Sequence, residues 1–268
     1  MKFTVLLSLY SKERAEYLIA CLDSIKNNTT PPDQVLIIYD GPIGKNLEEV
    51  VDMYRDCLSI DTVSLSQNIG LGKALNHGID FCRNEIILRM DTDDVCVNDR
   101  FEKQINFLER NPAIALLGGA IDEYDEKMIC PKGVRFSVSE HEQIRLYCKK
   151  RNPFNHMTIA FRKSVITKVG GYHHHYAMED YNLWLRVISA GYETHNMEDI
   201  LVHVRAGGNM LSRRRGIAYI KSEIQLAKLK YKLKIDNIVG IVSCTLLRSL
   251  PRLLPVSLLS IIYKRFRK

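Results

Sequence analysis

The 268-residue chain contains no CxxC pair, no internal repeat, no low-complexity linker and no apolar run long enough to cross a bilayer. Its seven cysteines are odd in number and scattered, which argues for reduced thiols in a cytosol. No charged-then-apolar leader is present. Met1-Lys2-Phe3-Thr4-Val5 runs straight into strand-like sequence, so secretion is not expected. With 46% apolar and 26% charged residues, disordered and fibrous classes are excluded. What is there is enough chain for a full hydrophobic core, as one large domain or a domain with an appendage.

The net charge of +7 is unevenly spread. Residues 213–268 hold 14 Lys or Arg against two acids, Glu223 and Asp236, a balance of +12 that leaves −5 on residues 1–212. A uniformly basic protein would suggest nucleic acid. A slightly acidic body with a basic, apolar tail points to an anionic membrane surface instead. The tail's longest uncharged runs, Asn237 to Leu247 and Leu253 to Tyr263, fall short of the roughly 18–20 residues of a span. Arg248, Pro251, Arg252 and Pro255 interrupt them, and the basic cluster Lys264 to Lys268 follows. The expectation is a segment lying on anionic lipid. A helical appendage packed on the body, or a homodimer contact, is the alternative.

Strand and helix signals alternate through the first half. Phe3 to Leu9 reads as a strand, and Ser11 can cap a helix marked by Ala15, Leu18, Ile19, Leu22 and Ile25. Val35 to Tyr39 is a continuous apolar run, the pattern of a strand buried on both faces, and it stops at Asp40-Gly41-Pro42. A helix at about 46–56, a strand at about 60–65, a helix from Leu71 to Cys82 and a strand from Glu85 to Met90 follow. This order predicts an α/β protein with a mostly parallel sheet between helices. Ligands of such sheets bind beyond the carboxyl ends of the strands, where Asp40 and Asp91 fall. Beyond lie a helix through Phe101, Ile105 and Leu108, short strands at Ile114 to Leu117 and Thr158 to Phe161, and a helix from Asp180 to Ala190 ended by Gly191.

Asp91-Thr92-Asp93-Asp94 sets three carboxylates within four residues. Their mutual repulsion is usually offset by a cation or by solvent. Hard ions such as Mg²⁺ and Mn²⁺ take oxygen ligands and are often shared with substrate phosphates. A bare DxD arises by chance in many loops; a DxDD directly after a buried strand is more specific. The alternative is a solvated acidic turn before the helix near Asp99. Asp40 repeats the geometry one unit earlier and can accept hydrogen bonds from a uracil or a ribose, or simply form a turn with Gly41. Asn68-Ile69-Gly70-Leu71-Gly72-Lys73 is glycine-rich but matches neither GxGxxG nor the P-loop; Lys73 can face a phosphate. Glu179-Asp180 precedes an apolar helical stretch, so the pair can cap that helix or supply a general base. His156 is an active-site candidate with a structural alternative. Adjacent residues such as His173-His174-His175 rarely converge on one ion, so this stretch reads as a loop. Arg213-Arg214-Arg215 can meet a diphosphate or begin the membrane-facing charge.

In order, Leu6 to Tyr10, Val35 to Gly41, Asn68 to Gly78, Arg89 to Asp94, Asn152 to Thr158, Gly170-Gly171-Tyr172 and Met178-Glu179-Asp180 resemble the family 2 glycosyltransferases of GT-A fold. The resemblance is to the bacterial amylovoran and O-antigen polysaccharide enzymes in particular, and it covers most of residues 1–215. It implies a Rossmann-like GT-A catalytic domain over 1–212, with a nucleotide-sugar part at about 1–112 and an acceptor part at about 113–212. Residues 213–268 would be a helical, membrane-associating extension. The implied reaction is inverting transfer of one hexosyl or N-acetylhexosaminyl unit from a UDP-sugar, with Mn²⁺ or Mg²⁺. The implied acceptor is a lipid-diphosphate-linked saccharide, and the implied location of the enzyme is cytoplasmic, peripheral on the inner face of the bacterial plasma membrane.

Carried over, Asp40 contacts the nucleobase beside the Leu9-Tyr10 edge, and Asn68, Lys73, Thr92, Arg213 and Arg214 contact the nucleotide sugar. Asp91 meets ribose or metal, Asp93 binds the cation, and Asp180 is the base. Glu179 assists or binds the acceptor, as His156 does. Two departures stand out. Lys73 takes a place where the family commonly has Arg, and the processive members' Gln-x-x-Arg-Trp motif is absent, which favours a single transfer. A nucleotidyltransferase is a competing reading, although Ser8 to Glu13 lacks the glycines of an activation loop. A non-catalytic, membrane-peripheral sugar-nucleotide-binding protein is another.

Overall fold

The structure is a computed structural model and describes residues 1–206 and 216–250. β1 (Phe3–Leu9) and β2 (Gln34–Tyr39) are buried almost throughout, so both faces of the sheet need cover. β1 pairs in parallel with β2 on one side and with β4 (Ile86–Arg89) on the other, and β3 (Ile60–Ser64) extends the edge beyond β2. The crossovers are α1 (Ala15–Lys26), α2 (Lys45–Met53) and α3 (Leu71–Phe81). Strand alternation divides the core in two. Val5, Leu7 and Leu9 join the cluster with α1 and α2, while Leu6 joins Ala74, Leu75 and Ile79 of α3. Ser11 does not cap α1. Residues 11–12 turn, Glu13 N donates to Tyr10 O, and the helix starts at Ala15 behind Arg14 without a side-chain cap.

The second half adds β5 (Val95–Cys96), α4 (Arg100–Arg110), β6 (Ile114–Tyr124), β7 (Pro131–Arg135), α5 (His141–Tyr147), β8 (Ala160–Arg162) and α6 (Lys163–Lys168). α7 (Glu179–Ser189), β9 (Glu193–Arg205), α8 (Gly216–Lys232) and α9 (Ile238–Ser249) follow. The sheet has nine strands in the order β3-β2-β1-β4-β8-β6-β9-β5, with β7 on β6. Parallel pairing accounts for most of its register; β8, β7 and β5 run antiparallel to their neighbours.

The strand expected at Ile114 to Leu117 continues to Tyr124, and the one expected at Thr158 to Phe161 is a 3₁₀ turn (His156–Thr158) followed by β8. The first half of β9 buries Thr194 and Asn196 in place of apolar residues, with Thr194 N bonded to His141 and Asn196 Nδ2 donating to the Val138 and Pro153 carbonyls, so only its end at 200–204 is apolar in sequence. α8 packs on the body: Tyr219 and Leu226 enter the core that holds α7. Among the described residues no helix is long and apolar enough to cross a membrane.

Candidate active site

β4 ends at Arg89 in the interior of the sheet, and the chain emerges as Asp91-Thr92-Asp93-Asp94 before β5. Asp91, Asp93 and Asp94 each present a carboxylate oxygen, all within 4.8 Å of one another. Burial, then the charge of Asp91, pushes Asp93 and Asp94 above the usual carboxylate range. Three oxygens gathered where negative charge is disfavoured fit a hard divalent cation.

The loop is held from several directions. Arg89, 2% exposed, forms a two-pronged ion pair with Asp91. Thr92 Oγ1 donates to Glu13 Oε2 at 2.6 Å. Arg205 at the end of β9 donates its amide to Asp94 (3.0 Å) and its Nε to Asp93 O (2.8 Å). Asp94, itself buried, therefore supports the loop from inside.

Asp40 follows the end of β2, two strand-helix units earlier rather than the one expected, because β3 intervenes. Its two oxygens accept the amides of Ile69 (2.7 Å) and Gly70 (3.0 Å), and Asn68 Nδ2 donates to its carbonyl at 3.1 Å. The loop 68–70 is thus tied to the sheet edge. It lies so close that a Cβ on Gly41 (φ +86°) would stand 2.5 Å from Asn68 N. The side chain of Leu9 is in the core, and its carbonyl accepts the Asp40 amide; Tyr10 is exposed at the edge.

The acidic pair opens α7, where the helix dipole favours negative charge. Asp180 accepts Asn152 Nδ2 at 2.6 Å and the amide of Tyr181 at 2.7 Å, so it does some of the expected capping. Burial, reinforced by Asp180, pushes the Glu179 carboxyl up to about 7, and Arg89 and Asp91 both act on it electrostatically. Glu179 meets the first turn of α3, where a Cβ on Gly72 would lie 3.0 Å from its Cβ and Cγ. A cavity of about 200 Å³ joins the two elements, with Lys73, His173, His174 and Glu179 among its lining residues.

His156 sits beneath the site. Its Nε2 and Tyr172 Oη share a hydrogen bond of 2.8 Å, its ring packs against Trp184, and burial followed by the charge of Arg89 keeps it neutral. Arg213 and Arg214 lie outside the described residues. Sequence reasoning missed Arg89, Glu13, Asn152 and Arg205. Only Arg89 carried a signal: a lone cation inside an apolar strand needs a partner, and Asp91 two residues on shares its face.

The chain matches the glycosyl transferase family 2 over residues 4–170. It is 42% identical over 266 residues to the amylovoran biosynthesis glycosyltransferase AmsE of Erwinia amylovora, covering 99% of each chain. It is 36% identical over 264 residues to the UDP-Gal:alpha-D-GlcNAc-diphosphoundecaprenol beta-1,3-galactosyltransferase of Escherichia coli, covering 98% of this chain and 96% of that one. In fold it is similar to S. aureus TarS 1–349, solved in complex with UDP-GlcNAc. The TM-score is 0.70 at 17% identity, over 92% of this chain and 72% of that one. With its curled, largely parallel GT-A sheet and this extent of shared sequence, the chain belongs to glycosyl transferase family 2.

Proposed function

We propose that this protein transfers a single sugar, with inversion, from a UDP-sugar to a lipid-diphosphate-linked saccharide during assembly of a bacterial surface polysaccharide. The observation that carries the reading is the convergence of three elements: the loop tied down by Asp40 shares a cavity with Glu179, and Glu179 in turn feels the charge of Asp91 from the Asp91–Asp94 carboxylates. Relatives that act in amylovoran biosynthesis and on a diphosphoundecaprenol acceptor support the pathway class and the acceptor.

In this reading the Asp40 edge, with Tyr10 and Asn68, receives the nucleobase. Asp93 and Asp91 would hold Mn²⁺ or Mg²⁺, which when bound neutralises charge on the nucleoside diphosphate. Lys73, in the first turn of α3, adds a cation to the cavity that Glu179 lines. The acceptor hydroxyl approaches the anomeric carbon opposite the diphosphate, and Asp180 takes its proton as the new C–O bond forms and the bond to UDP breaks. Asn152 holds Asp180 in one orientation, which limits the entropy lost as the acceptor docks. Glu179, with its raised pKa, can hydrogen-bond the acceptor as donor or acceptor near neutral pH.

The membrane surface belongs to the same proposal. α9 turns Ile238, Val239, Val242, Leu246, Leu247 and Leu250 outward along one half of its circumference, Val239 being 73% exposed. Ile241 is buried and Arg248 pairs with Glu223 of α8 on the other half. An apolar face in a basic segment fits anionic lipid, where a lipid-linked acceptor resides.

The test combines a panel of UDP-sugars with a lipid-diphosphate saccharide in anionic vesicles, reading product anomer by NMR. Retained configuration would overturn the inverting mechanism. The Val239→Ser, Val242→Ser, Leu246→Ser variant should leave the vesicles; unchanged flotation would remove the membrane surface from the proposal.

A further inference from the structure

The loop 173–177 forms one wall of the cavity beside Glu179, yet little in its own sequence fixes its shape. Its histidines do not converge on an ion. His173 and His174 are exposed, whereas His175 is 1% exposed and turned inward. His175 Nε2 lies 2.9 Å from the carbonyl of Ser222 on α8, and its Nδ1 lies 3.1 Å from Asn182 Nδ2 on α7.

A carbonyl can only accept, so Nε2 carries the proton and Nδ1 receives the amide N–H. The orientation of Asn182 agrees, because its Oδ1 accepts Arg186 Nε at 2.9 Å and leaves the NH₂ end toward the ring. The neutral ring therefore bridges two helices with both nitrogens satisfied.

α8 holds the same loop twice more. Ser222 Oγ donates to Tyr176 O at 2.6 Å, and Gln225 Nε2 donates to His174 O at 3.2 Å. On the other side Met178 N donates to His175 O at 3.1 Å, so the turn carrying His175 runs directly into the first residues of α7. Ala177 between them sits at φ +55°, a left-handed conformation that a non-glycine residue keeps only when its surroundings impose it.

We propose that His175 is a positioning residue for the acceptor side of the site: by joining α8 to α7 it sets the 173–177 wall and the carboxylates of Glu179 and Asp180 in register with each other. The inference rests on the reading of Glu179-Asp180 as the acidic pair that serves the acceptor. It also gives the segment 216–226 a role in catalysis, separate from any contact with lipid.

The test compares His175→Ala and His175→Gln in the full chain, with transfer kinetics for donor and acceptor and calorimetry with UDP and Mn²⁺. His175→Ala should lower turnover about 10²-fold, the scale of an ångström-level misplacement, and raise the acceptor KM. UDP affinity should stay within about twofold, since the bridge's hydrogen bonds run to Ser222 and Asn182 and not to Asp40, Asn68 or the Asp91–Asp94 loop. His175→Gln, which offers an amide N–H and a carbonyl at similar reach, should recover most of the loss.

Wild-type turnover in His175→Ala, a parallel loss of UDP binding, or no rescue by Gln would overturn the proposal. If His175→Ala does not fold, Ser222→Ala with Gln225→Ala decides: a rise of about tenfold in acceptor KM at unchanged UDP affinity supports it, and no rise overturns it. Asp180→Asn and Glu179→Gln run alongside. Turnover kept in both would sink the base reading itself, whichever way His175 behaves.

Discussion

The two halves of this molecule build their share of the site in different ways. In the first 112 residues the candidate carboxylates stand where parallel strands end: Asp40 after β2, Asp91 to Asp94 after β4. In the rest, Glu179 and Asp180 stand at a helix start whose position depends on distant partners: Asn152, His175 and α8. Strand ends are fixed by backbone ladders, so the side-chain braces on the Asp91–Asp94 loop, from Arg89, Glu13 and Arg205, act on a segment whose strand has already placed it. The second half is braced by buried polar contacts, and each of these is a place where one substitution can misalign the site. Variants on the first side should therefore strike donor and metal binding, and variants on the second should strike turnover with the donor still bound.

The largest expected effect is at the Asp91–Asp94 loop. Asp93→Asn should cut transfer about 10³-fold or more and abolish metal-dependent UDP binding in calorimetry, because the group that would hold the cation against the diphosphate loses its charge. Chelation of divalent ions should give the same result in the wild type. UDP binding that is unaffected by both would place the donor elsewhere and break the contrast between the halves. Next comes Asp180→Asn, which keeps shape and hydrogen bonding but removes the base; turnover should fall about 10²–10³-fold while UDP affinity holds. If turnover is close to wild type, the base is Glu179 or another group.

How legible these halves were follows from the same difference. β1, β2 and β4 are apolar runs whose period and ends can be read directly, and the carboxylates stand beyond them. β9 hides Thr194 and Asn196 in its core-facing positions, so its apolar pattern is broken, and the bonds of Thr194 N and Asn196 Nδ2 span 40 or more residues of chain. His173-His174-His175 read correctly as a loop, but three identical letters gave no hint that the third alone turns inward. Glu13 and Arg205 reach the Asp91–Asp94 loop from α1's leading turn and the end of β9, contacts that no local spacing encodes.

A smaller effect separates stability from binding on the donor side. Arg89 is buried, and its partner Asp91 is partly open to solvent. Arg89→Met should cost about 1–3 kcal/mol in urea unfolding, less than for a fully buried pair because Asp91 can rehydrate. It should also weaken UDP binding, since Asp91 loses its fixed orientation. Adding Asp91→Asn should recover part of the stability, as both charges are then gone; a double variant no more stable than the sum of the singles would show that the two residues act independently.

The smallest expected effect is carried by Glu179, and its sign is opposite to that of an ordinary ion-paired acid. Burial and the neighbouring Asp180 raise its folded pKa to about 7 from 4.5. Between those two values the folded protein keeps a proton that the unfolded chain has released, so stability falls as pH rises through this window and levels off above about 7. Glu179→Gln removes the ionisation. At pH 8 the variant should be more stable than wild type by on the order of 1–2 kcal/mol, a figure reduced for the partial exposure of the group, and near pH 4 the two should converge. Thermal unfolding of both proteins across pH 4–8 reads the difference directly, since other titrating groups are common to both. A wild-type advantage at pH 8 would mean that the charged carboxylate has a partner held ready for it at the start of α7, and the contrast between strand-placed and helix-placed carboxylates would have to be redrawn.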